Sequence, residues 1–327
     1  MIKQTSPITF FSNLTDYLPD GVVSFIKKYL KNAGDNKVNQ RTLNNYANGF
    51  KKFYEFAGDI KLDEITIDYL NNQYVKYLLD EKKLSPYTAA LNLQILRYLL
   101  ESADEEGLIN LRLSQLIDKK MINVDLKQHR TVYHKNFLDD EELDKMVNYW
   151  SESEESFTPR GLRNQVILKL LADTGMTAHE MTLLNRDNIN FKEGKINIYY
   201  KDNKYPYKNR EITLKTDTLI LLKRYLDIRA DHCQCLIVAF NAENSFIVYA
   251  WPLTERSIQR VIKSTAKSVG ITRSIPPSVF RNTKFVDLYR RELRKDDIKK
   301  MMGQYPTSTQ HMRYVKGYDE QKKANKI

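Results

Sequence analysis

Apolar positions along this chain repeat at helical spacing for most of its length and alternate in only one stretch. Leu43, Tyr46, Phe50, Phe53 and Phe56 recur every three or four residues, with Lys51 and Lys52 off that stripe. This predicts an amphipathic helix, ended by Gly58 and Asp59. A second helix is expected over residues 67–79. A third starts at Ser85 and Pro86, where serine can cap and proline suits the first turn. Its apolar stripe reads as Thr88, Leu91, Ile95, Tyr98 and Leu99, which predicts a core-facing side. Residues 1–18 carry no sustained period and read as an arm.

Periodicity fades between residues 110 and 136, around the polar cluster Lys127, Gln128, His129 and Arg130, and a helix start follows at Leu138 to Glu142 with acidic residues in its first turn. The chain therefore divides into an arm (1–18), a helical domain (19–112), a linker (113–136) and a second domain (137–327). In the second domain residues 163–172 predict an apolar helix that ends at Thr174 and Gly175, and residues 178–184 a short one. Residues 195–200 and 209–214 then alternate like the strands of a hairpin. Helices are expected again from Lys215, over 254–269 and over 282–293. The fold class is mainly α with a small β-sheet, α+β.

Composition narrows the function. No apolar run approaches the roughly 20 residues of a membrane span, and the first residues lack a signal-peptide pattern, so a soluble cytoplasmic protein without a membrane partner is expected. Cys233 and Cys235 are too close to frame a disulfide fold, and His232 beside them finds no further ligands nearby, so neither a metal nor another cofactor is expected. Lys plus Arg number 52 against 41 Asp plus Glu, a net charge of +11. From Arg281 to Ile327, 13 basic and 6 acidic residues concentrate that excess. A polyanion, double-stranded DNA above all, is the expected partner. Residues 254–267 add to this. Ile258, Val261, Ile262 and Ala266 form one stripe of the helix, and Arg256, Gln259, Arg260, Lys263 and Lys267 a basic opposite face suited to a major groove.

The order of elements resembles the tyrosine recombinase (phage integrase) family. Thr42, Tyr46, Phe50 and Phe53, then Ser85, Thr88, Leu91, Ile95, Leu96 and Arg97, are similar to its helical core-binding (SAM-like) domain. Thr174-Gly175-Met176-Thr177-Ala178-His179-Glu180-Met181, followed by Leu184, Asp187 and Ile189, is similar to its T-G-L-R-x-x-E-L box. The resemblance implies a two-domain clamp around duplex DNA. It also implies chemistry in which a tyrosine hydroxyl attacks a phosphate held by two arginines while a lysine protonates the leaving oxygen.

Carried over by position, the first arginine falls on Thr177, the lysine on Lys208, the H-x-x-R box on Ser278 and Arg281, the later histidine on Gln304 and the nucleophile on Tyr314, one residue farther from Gly303 than the motif has it. Losing one preorganised donor at a developing oxyanion costs about 10²- to 10³-fold. With an arginine and two proton-handling groups replaced, the expectation is a binder with a degenerate catalytic site, not an enzyme. Arg163, a helix-surface charge, and Arg186, a loop charge, are weak candidates to replace the missing arginine; His179 and His311 lie near the altered motifs.

In the first domain the expected DNA contacts are Arg41, Asn45, Lys52, Tyr87, Asn92 and Gln94. In the second they are the basic helix face together with Lys208 and Arg281, which would hold a phosphate. By family analogy the expected role is a sequence-specific transcriptional repressor controlling phage or prophage lysogeny. The alternatives are an active recombinase and an architectural or segregation protein. A homodimer on an inverted repeat and a monomer on a half-site both suit the sequence, and a protein antagonist or inducer is left open as a further partner.

Overall fold

The computed structural model describes residues 7–14, 18–36, 38–66, 68–109, 137–200, 206–229, 231–241, 248–309, 315 and 318–319. The linker over 113–136, His311 and Tyr314 lie outside these residues. The chain forms two compact units, Met1–Gln128 and His129–Ile327.

In the first unit, α1 (Pro7–Ser12), α2 (Val22–Asp35), α3 (Gln40–Ala57) and α4 (Pro86–Glu105) enclose one apolar core. The Asn39 side chain caps α3 by accepting from the Arg41 amide, and Gly58 ends it at φ +66°. The carboxylate of Asp59 then accepts from the backbone amides of Val23 and Leu18, placing a negative charge at the start of α2. Ser85 caps α4 as expected, accepting from the Thr88 amide at 3.2 Å. Gly49 lets α4 approach α3: a Cβ there would lie 2.8 Å from Ile95.

Three expectations for this unit need correction. The arm contains α1, whose Phe11 is fully buried, because an aromatic side chain gains more from the core than the short helix costs to order. The stretch after residue 67 is wound as two wider π-helical segments, Tyr69–Tyr74 and Tyr77–Glu81, with Leu70, Tyr74 and Leu78 inside. On α4 the buried face is Ala89, Asn92, Leu93, Ile95, Leu96, Leu99, Leu100 and Ala103. Leu91 and Tyr98, read as core, point out.

The second unit is built on α6 (Pro159–Thr174), packed by α5 (Asp140–Glu152), α8 (Thr216–Arg229) and α10 (Pro277–Arg290). Because neighbours surround it, α6 buries residues on every side, from Leu162 and Val166 to Leu170 and Leu171. After it come α7 (Ala178–Thr182) and an antiparallel sheet of β1 (Ile189–Asn190), β2 (Lys195–Ile198) and β3 (Arg210–Thr213), in which Ile196 faces Ile212 and Ile198 faces Arg210. A second hairpin, β4 (Val238–Phe240) with β5 (Val248–Pro252), was not legible in the pattern. It leads into α9 (Glu255–Ser268), capped by Thr254. After α9 comes α10, which begins and ends earlier than the expected 282–293, and then α11 (Lys295–Met301). Ser278 and Arg281 consequently lie on a helix.

Candidate nucleic-acid site

Gly175 ends α6 in the left-handed region, at φ +61°, and turns the chain so that Thr177 becomes the N-cap of α7. The Thr177 hydroxyl accepts from the Glu180 amide at 3.1 Å, while the Glu180 carboxylate accepts from the Thr177 amide at 2.7 Å. The hydroxyl is thus engaged within its own helix terminus. Glu180 is only 3% exposed. Its carboxylate takes the two ends of one guanidinium, Arg210 Nη1 at 2.6 Å and Nη2 at 3.1 Å, and lies 4.0 Å from Arg281. Burial pushes the Glu180 carboxyl up, but the hydrogen bonds and charge of Arg210, then Arg281 and the Thr177 amide, outweigh it and hold the group below the usual carboxylate range.

Arg281 ties two glycine turns together, donating to the carbonyls of Gly175, at 2.7 Å, and of Met302. Both turns are tight. A Cβ at Gly175 would lie 2.5 Å from the Met302 methyl, and one at Gly303, where φ is +59°, would lie 2.6 Å from Arg210 Nη1. Next to Gly303, Gln304 is 9% exposed and its Oε1 has no partner among the described residues. It lines a cavity of about 650 Å³ with Arg210, Lys299 and Lys300. Lys208 Nζ lies 4.9 Å over the Tyr200 ring, and its carbonyl accepts from Arg210. Burial, then the nearby Glu180 charge, pushes the Tyr200 hydroxyl up to about 12.

Of the positions expected from sequence, Thr177, Arg281 and Gln304 converge on this cluster and Lys208 lies at its edge. Ser278 is exposed in the first turn of α10. His179 is exposed and its Nδ1 is 3.0 Å from Glu255 on α9. Arg163 is not a surface charge. It is 6% exposed, donates to the Val238 carbonyl and Asn164 Oδ1, and burial pulls it down to about 10. Arg186 holds the carbonyls of Cys233 and Asp231. Both arginines are structural fastenings, committed away from the cluster.

Arg210 is the residue that sequence reasoning missed. It shares the strand face of Ile212, and a charge on a core-facing strand position requires a buried counter-charge. That alternation was the available signal.

The outer face of α9 is different in character. Arg256, Gln259, Arg260, Lys263 and Lys267 are all exposed, over a buried stripe of Ile258, Val261, Ile262, Thr265 and Ala266. From Arg256 to Ser268 the helix carries no acidic residue. At the end of α10, by contrast, Arg290 is paired with Asp140 and Arg291 with Asp287. In the first unit Arg41, Asn45 and Tyr87 are exposed and Gln94 and Lys52 half-buried, with Lys52 Nζ donating to the Asn48 carbonyl. Asn92 is the exception: it is 4% exposed and donates its amide to the Thr88 carbonyl at 2.6 Å, because its position falls on the core side of α4.

Comparison with known proteins agrees with this arrangement. Residues 136–321 match the phage integrase family and residues 21–121 the phage integrase SAM-like domain. The chain is 26% identical over 170 residues to the tyrosine recombinase XerD of Listeria innocua, covering 51% of this chain and 54% of that one. It is 26% identical over 203 residues to XerC of Thermodesulfovibrio yellowstonii, covering 62% of each. The matches thus span between half and two thirds of these relatives. In fold it is similar to a lambda integrase dimer bound to a COC′ core site, with TM-score 0.67, 17% identity and coverage of 96% of this chain and 81% of that one. It is also similar to XerH bound to palindromic difH, with TM-score 0.65, 20% identity and coverage of 92% and 83%.

These matches correct the expectation of a non-enzyme: the relatives are named tyrosine recombinases, and nothing in the comparisons sets this chain apart from them as catalytically degenerate. Among the described residues no helix is long and apolar enough to cross a membrane. With one family model over 21–121 and a second over 136–321, the chain belongs to the phage integrase family, the tyrosine recombinases.

Proposed function

We propose that this protein recognises a specific site on double-stranded DNA and, by occupying it, represses transcription in the control of phage or prophage lysogeny. The observation that carries the duplex-binding part is the exposed, acid-free basic face of α9. Five polar side chains spaced along one helix face, four of them cationic, suit a row of phosphates and the base edges beside it. Arg41, Asn45, Lys52, Tyr87 and Gln94 add contacts from the first unit, and Lys208 and Arg281 hold a phosphate near the turn at Gly175. The protein acts in the cytoplasm, as a homodimer on an inverted repeat, and its release from the site is left to an antagonist or inducer. The repressor role rests on analogy within the family.

A second reading, strand exchange, is favoured by the relatives named as recombinases. In it the Tyr314 hydroxyl gives its proton to solvent as its oxygen forms a bond to phosphorus, the bond from phosphorus to the 5′ oxygen breaks, and Lys208 gives that oxygen a proton. Arg281 would exchange the Gly175 and Met302 carbonyls for the nonbridging oxygens.

One experiment separates the readings. The intact protein is incubated with fragments of its own genome, and each sample is divided between a native mobility-shift gel and a denaturing gel, beside a reporter fused to any bound promoter. Specific shifts with reporter expression rising on deletion support repression, and unchanged expression defeats it. A covalent adduct that disappears in Tyr314→Phe establishes strand exchange, and the absence of any specific shift removes both readings.

A further inference from the structure

Helix α4 presents a second stripe, opposite its core face. Tyr87, Leu91 and Tyr98 stand at spacings of four and seven, one face of a helix, and are 45%, 56% and 39% exposed, with Gln94 between them. The Tyr98 ring meets the edge of Tyr46 on α3 at 5.9 Å, so this stripe adjoins α3. On α3 the residues Arg41, Asn45, Asn48 and Lys52 repeat at four, three and four, and the first three are exposed. Residues 40–53 and 86–100 contain no Asp or Glu, although about one residue in eight of the whole chain is acidic. The exposed apolar stripe is therefore free of acidic neighbours around Tyr87 and Leu91, and the first carboxylate beyond Tyr98 on α4, Glu101, is paired with Arg97 at 2.8 Å.

We infer that Leu91, flanked by Tyr87 and Tyr98, is a specificity-determining contact that reads thymine 5-methyl groups in the major groove of duplex DNA. The inference rests on the duplex-binding reading above and deepens it. A leucine side chain has no hydrogen-bonding group, and the apolar group that a base edge offers in the major groove is the thymine methyl. The acid-free turns around Leu91 and the facing residues 40–53 of α3 admit phosphates beside it. A second copy of the chain is the competing occupant, but three apolar side chains in single file are far short of the roughly 20 to 30 residues a side of a stable protein interface.

The test uses the full chain and a duplex selected by it from a random-sequence pool. A copy of that duplex is made with deoxyuridine for thymidine, which removes only the 5-methyl groups. Each buried methyl contributes about fourfold in affinity, so the unsubstituted protein should lose roughly 4- to 16-fold on the uracil duplex for one or two methyls read. Leu91→Ala, a change at an exposed position to the best helix former, should bind the two duplexes within about twofold of each other. Equal binding of both duplexes by the unsubstituted protein overturns the inference and leaves duplex recognition standing. So does a Leu91→Ala variant that keeps the full preference for thymine. A Leu91→Ala variant that changes the sedimenting mass and keeps that preference assigns the stripe to a second copy instead. Failure of the pool to yield any bound duplex overturns the inference together with the function on which it rests.

Discussion

The buried cluster at Glu180 and the outer face of α9 are both rich in cations, and they treat those cations in opposite ways. At Glu180 two arginines converge on one carboxylate out of water, and the backbone carbonyls of Gly175, Met302 and Lys208 take further N–H groups. On α9 four cations stand in solvent over an apolar stripe. Removing a charge from the first arrangement leaves its partners desolvated and uncompensated, which is costly. Removing one from the second leaves folding almost untouched and weakens only what binds there. The contrast separates a buried cluster whose cations are matched by a carboxylate and backbone carbonyls from a helix face whose cations stand in solvent, the face to which the proposed function assigns the DNA.

The largest effect is expected from Glu180→Gln, which strands Arg210 and brings its charge against that of Arg281. Denaturant unfolding of the intact protein should show a loss of about 3 to 5 kcal/mol. A loss under 1 kcal/mol would mean that water reaches the cluster and that the contrast with α9 is one of degree. The same carboxyl sets a pH dependence. Its folded value lies below the ordinary 4.5, so the folded chain binds this proton less readily than the unfolded one. Its contribution is therefore complete above about pH 4.5 and is lost as the pH falls through the folded value. Unfolding curves from pH 7 to 3 should fall less steeply for Glu180→Gln than for the unsubstituted chain; parallel curves would assign the acid sensitivity to other carboxylates.

Gly303→Ala comes next. It puts a methyl 2.6 Å from Arg210 Nη1 at a backbone φ of +59°, and the expected cost is about 1 to 3 kcal/mol. Since that methyl pushes on the guanidinium, Gly303→Ala combined with Glu180→Gln should cost less than the sum of the two, a coupling that unfolding of the double variant measures. Smallest in stability are Arg260→Ala and Lys263→Ala. Each should stay within about 0.5 kcal/mol of the parent in unfolding. Each should also reduce the slope of log affinity against log salt by about 0.9, one phosphate contact apiece. An unchanged salt slope would take α9 off the DNA.

Legibility in the sequence followed how local each signal was. The α9 face was readable because one helix with four cations, no acid after Glu255 and a regular apolar stripe has only one way to lie on a core. On α4 the period was read correctly and the face was not. Thr88, Leu91 and Tyr98 fit a helical stripe as well as Ala89, Leu93 and Leu96 do, and only packing against α3 at Gly49 and Ile95 selects the second. Phe11 in the arm has only Ile8 and Leu14 at three-residue spacing, too short a run to establish a period. Arg163 reads as a surface charge on an apolar helix, yet α6 is enclosed on all sides and its arginine is anchored by the Val238 carbonyl, 75 residues away. Arg210 is held in the same way by Glu180, 30 residues away.

The placing of Thr177, Ser278 and Gln304 at motif positions rests on the resemblance; the sequence by itself determined where α3, α4, α6, α9 and the first hairpin run and that basic charge is in excess and concentrated toward the C-terminus. These are properties of residue order over one or two turns of chain. Tertiary structure alone decided that Thr177 serves as a helix cap, that Arg210 and Arg281 share Glu180, that Asn92 turns inward, and that Leu91 and Tyr98 are left in solvent. Each of those outcomes depends on a partner brought from a distant part of the chain, and the free energy of a buried charge or an exposed leucine is set by that partner rather than by its neighbours in sequence.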